Sequence, residues 1–100
     1  MPTSHANIAT KHASRYLQQL CKHWSHRFSV EFTVERGQID LGDGKSVMLG
    51  AAPTELSVRV EASDQSELPR LEKVVEDHIA RFAFREDLTF NWTNGSVGLA

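Results

Sequence analysis

The 100-residue sequence has one cysteine, three prolines and six glycines, and no apolar run near the roughly 20 residues of a membrane span. A single cysteine excludes an internal disulfide, and the low Gly and Pro content excludes linker, collagen-like and disordered compositions. Met1 to Thr10 lacks the charged segment and apolar stretch of an export signal, so a cytoplasmic location is expected. The triplets Asn91-Trp92-Thr93 and Asn94-Gly95-Ser96, spelled like glycosylation sites, then carry no meaning. What remains is globular material, 40% apolar and 24% charged. A chain of this length makes one domain, residues 1–100, with an expected radius of gyration of about 13 Å. Residues 93–100 are expected to form a loose tail.

Acid is missing from the first thirty residues, which contain Lys11, Arg15, Lys22 and Arg27 and carry a formal charge of +4. The other seventy hold seven bases and all thirteen acids, a charge of −6. Four of the five histidines (His5, His12, His23, His26) lie in the basic part and add to it in mild acid. One explanation is a basic helix that attracts an anionic ligand or an acidic partner. The other is a basic helix lying beside an acidic one, which needs no ligand. Nucleic acid is not expected as a partner, because no Lys/Arg cluster or base-stacking aromatic motif occurs and the pI is about 6.2.

Ala13, Tyr16, Leu17, Leu20, Cys21 and Trp24 follow the spacing of one helical stripe and predict an amphipathic helix ending near Arg27, with Thr10 as N-cap. Alternating segments at Phe28–Val34, Gln38–Leu41, Ser46–Ala51 and Leu56–Ala62 predict strands. Gly37, Gly42-Asp43-Gly44 and Ala52-Pro53-Thr54-Glu55 separate them as turns, which implies an antiparallel meander. A second helix is predicted over Glu67–Ala83, with Leu68, Leu71, Val74, Val75, Ile79 and Phe82 facing inward and Ser66 as its N-cap. Ala6–Thr10 and Leu88–Trp92 are further strand candidates. The whole reads as an α+β two-layer sandwich: a mainly antiparallel sheet of five to six strands with two helices on one face, in the order β-α-β-β-β-β-α-β.

His78 projects about 50° from the centre of the second helix's apolar stripe, and His23 about 90° from that of the first, with Cys21 inside the stripe. If the helices pack side by side, Cys21, His23 and His78 converge. As a zinc or iron site this trio needs a fourth ligand from His26, His12 or a carboxylate. Cys21 and His23 also lie about 200° apart around their helix, so they cannot both chelate one ion. The plainer alternative is a structural histidine and a buried thiol, with no resident cofactor. A cysteine nucleophile is disfavoured in a core stripe, and no catalytic residues are assigned. Phosphate-loop and dinucleotide fingerprints are absent.

The motif Arg15-Tyr16-Leu17-Gln18-Gln19-Leu20-Cys21-Lys22-His23-Trp24-Ser25-His26, followed by Asp77-His78-Ile79-Ala80-Arg81-Phe82-Ala83-Phe84-Arg85-Glu86, resembles bacterial domain-of-unknown-function family 2218. The matching positions are Arg15, Tyr16, Leu20, Cys21, His23, His78, Arg81, Phe82 and Glu86. A proline expected in the first turn of the first helix is missing from Lys11 to Ala13. The resemblance implies a small stand-alone protein and, because similar domains occur fused to siderophore-interacting flavoproteins, an accessory role in iron or siderophore handling. It brings no catalytic residues.

Three readings follow. The first is a non-catalytic accessory or binding domain that uses Arg15, Lys22, His23 and His26 to engage an anionic small molecule or a protein partner. The second is a metal-binding or redox protein built on Cys21, His23 and His78. The third is a homodimer whose oppositely charged helices meet across a two-fold axis.

Overall fold

The structure, a computed structural model, describes residues 2–83 and 86–93. Strand β1 (Thr3–Ala9) is followed by helix α1 (Ala13–Trp24), strands β2 (Ser29–Phe32), β3 (Arg36–Gly42), β4 (Lys45–Ala52) and β5 (Glu55–Glu61), a 3-10 turn at Gln65–Glu67 and helix α2 (Leu68–Phe82). The five strands form one antiparallel sheet in the order β1-β5-β4-β3-β2. Helix α1 therefore carries the chain from one sheet edge to the other, and the meander returns it to β1. The α+β sandwich expected from the sequence is the fold observed, with a radius of gyration of 12.6 Å.

Inward positions alternate along the strands, among them Ala6 and Ile8 on β1, Ile39 on β3, Val47 and Leu49 on β4, and Leu56, Val58 and Val60 on β5. Against them α1 buries Ala13, Tyr16, Leu17, Leu20, Cys21 and Trp24, the whole stripe read from the sequence. Helix α2 buries Leu68, Leu71, Val75 and Ile79 over β5 and β1. Two members of its expected stripe are not in the core: Phe82 is half-buried and Val74 is exposed.

Several boundaries differ from the sequence reading for physical reasons. The break between β2 and β3 falls at Thr33–Glu35, where the Thr33 hydroxyl accepts from the Glu35 and Arg36 amides, and not at Gly37. Gly37 lies inside β3 because a Cβ there would stand 2.6 Å from Cys21 Sγ; it is a contact glycine, not a turn glycine. The β3–β4 turn does sit at Asp43-Gly44, with φ of 56° and 75° and Gly42 at 80°, as a two-residue turn with both central residues left-handed demands. Thr10 is not the N-cap of α1. That position falls to His12, whose own amide donates to Thr10 Oγ1 at 3.1 Å. Nor does Ser66 cap the second helical segment. The Asp64 carboxylate accepts from the Ser66 amide and initiates the 3-10 turn, a bond that holds the Asp64 carboxyl below its usual range.

Leu88–Trp92 is not a strand. The segment returns along β1 through a single bridge, His5 to Thr93, and is anchored by Trp92 Nε1 donating to Glu76 Oε1 at 3.0 Å. Apart from Thr93, the expected tail lies outside the described residues.

Candidate functional site

His23 projects from the last turn of α1 and meets His78 of α2, the ring centroids 5.3 Å apart. Trp24 packs against His78 at 5.1 Å, and Phe82 against His23 at 6.2 Å. The Nδ1 of His78 lies 2.7 Å from the Val74 carbonyl, one turn back on its own helix, and donates to it. That bond holds the ring's orientation and leaves Nε2 free of it.

Cys21 does not join this pair. Its side chain is fully buried against Gly37 on the sheet side of α1, and burial pushes its thiol up to about 11. The trio of Cys21, His23 and His78 thus divides into two unrelated contacts, as the 200° separation around the helix requires. Among the described residues no group of three or more His, Cys, Asp or Glu is placed to hold a metal ion.

The histidine pair forms one end of a groove of about 840 Å³ between the C-terminal end of α1, the tip of the β3–β4 hairpin and the first turns of α2. His26, Arg27 and Phe28 line it from the turn after α1, and Leu41 and Lys45 from the hairpin. Ser66, Glu67, Arg70, Leu71 and Val74 complete it from the opposite side. Three permanent cations and three imidazoles therefore share the groove with one acid. That acid, Glu67, stands at the N-terminal end of α2, where the helix dipole favours a carboxylate, and its Oε1 is buried without a hydrogen-bond partner.

Of the four residues expected to bind an anion, His23 and His26 line the groove, whereas Arg15 and Lys22 are exposed on α1 and do not. Arg27, Lys45, Arg70 and His78 line the same groove and were not among the residues singled out from the sequence for anion binding. Lys45 and Arg70 come from segments far apart in sequence, and the sheet's return path alone brings them together. Charge neutralisation between the helices is not seen: the ion pairs among the described residues are Arg59–Glu61 and Lys73–Asp77, and neither involves α1.

A second constellation closes the far end of α1. The Tyr16 hydroxyl donates to Glu86 Oε2, and Thr10 Oγ1 donates to both carboxylate oxygens at 3.1 and 3.2 Å. Burial first, and the Glu86 carboxylate second, push the Tyr16 phenol up to about 12. A phenol so disposed is a buried donor, not a proton acceptor.

The model of an uncharacterised protein family conserved in bacteria, domain of unknown function 2218, matches residues 5–93. The chain belongs to this family. It is also similar to PA4090 of Pseudomonas aeruginosa, known from an NMR structure, with 40% identity, a TM-score of 0.79, and coverage of 93% of this chain and 96% of that one. No curated protein matches it. The family positions recognised in the sequence pair off in the fold: Tyr16 with Glu86, and His23 with both His78 and Phe82. No helix among the described residues is long and apolar enough to cross a membrane.

Proposed function

We propose that this member of the family is a cytoplasmic, non-catalytic binding domain that engages an anionic small molecule, or the acidic face of a protein partner, through the groove beside His23 and His78. The observation that carries the reading is the imbalance within the groove, where Arg27, Lys45 and Arg70, with the imidazoles of His23, His26 and His78, face Glu67 alone. Clustered cations repel one another, and a bound anion relieves that repulsion in a concave site where solvent screens it less than on an open surface. Among the described residues no ion pair joins a basic residue of α1 to an acid of α2. The buried thiol and the buried phenol, each held in its neutral form, support a binding role over nucleophilic or acid–base catalysis. A connection with iron or siderophore handling rests on the resemblance to domains fused to siderophore-interacting flavoproteins, and a cationic groove is compatible with a negatively charged chelate.

Calorimetric titration with citrate at low and high ionic strength tests the reading. Affinity should fall as salt rises, since exposed charges are screened beyond about 8 Å at physiological ionic strength. Citrate affinity that is independent of salt would remove the groove's charge from the account.

A further inference from the structure

We infer that the groove takes an amphipathic acid, a small molecule that joins a carboxylate or phosphate head to an aromatic or branched apolar body. The inference rests on the anion-binding reading and adds the chemical class of the ligand. It starts from a mismatch between pattern and fold. Val74 occupies an inward position of the α2 stripe, between Leu71 and Val75, yet is 37% exposed on the groove wall. Phe28 and Leu41, facing the groove from the other side, pack on the core and are only half-covered. Trp24 and His78 supply ring faces at the groove's end. A single exposed apolar residue needs no explanation, but here one exposed and two half-covered apolar residues from separate segments converge on one concavity.

The charges are arranged to match. Arg27 and Arg70 are exposed and Lys45 half-exposed, so cations stand at the rim, with Val74 on the wall and the more covered Phe28, Leu41 and Leu71 as the floor. An inorganic anion contacts such a rim and leaves the floor wet; a neutral apolar molecule fills the floor and leaves the cations unpaired. A molecule with both parts satisfies both. The volume of about 840 Å³ has room for a body far larger than phosphate and lies within the range of small-molecule pockets.

The test compares four probes by calorimetry and by ¹H–¹⁵N and His-ring NMR shifts: 2-naphthoate, 2-naphthalenemethanol, inorganic phosphate and an oligoglutamate peptide. Naphthoate should bind with shifts centred on His78, Leu71 and Arg27, and phosphate should bind about tenfold or more weakly, because it buries no apolar surface. Val74→Glu, at a position exposed enough to accept charge, should weaken naphthoate binding by about tenfold or more, while Val74→Ser provides a milder variant. Phosphate or oligoglutamate binding as tightly as naphthoate would overturn the ligand class and leave the anion-binding reading standing. So would naphthoate affinity unchanged in both Val74 variants. Naphthalenemethanol binding as tightly as naphthoate, or no probe binding at all, would overturn both.

Discussion

The Sγ of Cys21 lies 2.6 Å from the point where a β-carbon on Gly37 would stand, with Leu17 Cδ2 at 3.3 Å from the same point. This contact sets how closely α1 approaches the sheet. It also explains why a glycine occupies the second position of β3, where it would otherwise weaken the strand.

Gly37→Ala should therefore cost about 1 to 3 kcal/mol, the usual penalty for overpacking a close-fitted core. Cys21→Ala removes the opposing sulfur, so the cost of Gly37→Ala should shrink when both changes are combined. Chemical denaturation of the four proteins in a double-mutant cycle measures the coupling. Strict additivity would contradict the contact.

Tyr16 is the only tyrosine, so tyrosinate absorbance reads it alone. Its phenol is pushed up to about 12 in the folded protein, against about 10 in an unfolded chain. A raised folded value favours the neutral form, so this stabilisation is fully present below about pH 10 and is lost as pH rises from about 10 to 12. The absorbance midpoint should lie near the higher value in buffer and near the lower in urea. Tyr16→Phe should cost about 1 kcal/mol at neutral pH, the net worth of one hydrogen bond. A native midpoint equal to that in urea would contradict the burial of Tyr16 and its bond to Glu86.

The two helices were unequally legible in the sequence. Every residue of the α1 stripe is buried, because α1 crosses the sheet with one side fully covered. Helix α2 lies nearer the β1 edge, and the groove opens along it, so a stripe of the same spacing leaves Val74 and part of Phe82 uncovered. Gly37 was misread because local sequence does not distinguish a glycine needed for a positive φ from one needed for lack of a side chain. Leu88–Trp92 has the composition of a strand, but its position is set by the Trp92–Glu76 hydrogen bond and one bridge to His5. At the candidate site, helix geometry brings His23 and His78 together only if the two helices pack side by side, a condition the sequence does not decide and the structure meets. The nearness of Lys45 and Arg70 was not legible, since a hairpin tip and a helix start become neighbours only through the order of the strands.

Differences in burial give unequal truncation costs. Leu20→Ala should lose about 2 to 5 kcal/mol, as expected for a fully buried leucine. Phe82→Ala should lose less despite removing a larger side chain, because Phe82 is half-exposed beside His23. Urea denaturation midpoints measure both; a greater loss at Phe82 would contradict the placement of the two residues.

The most direct measurement for the central claim is a citrate titration of the ¹⁵N-labelled protein and of its Arg27→Glu/Arg70→Glu variant, followed by NMR. Shifts centred on His23, His26, Arg27, Arg70 and His78 are expected in the native protein, with their loss when the two rim charges are reversed. Shifts centred instead on Arg15 and Lys22, or undiminished in the variant, would contradict that claim.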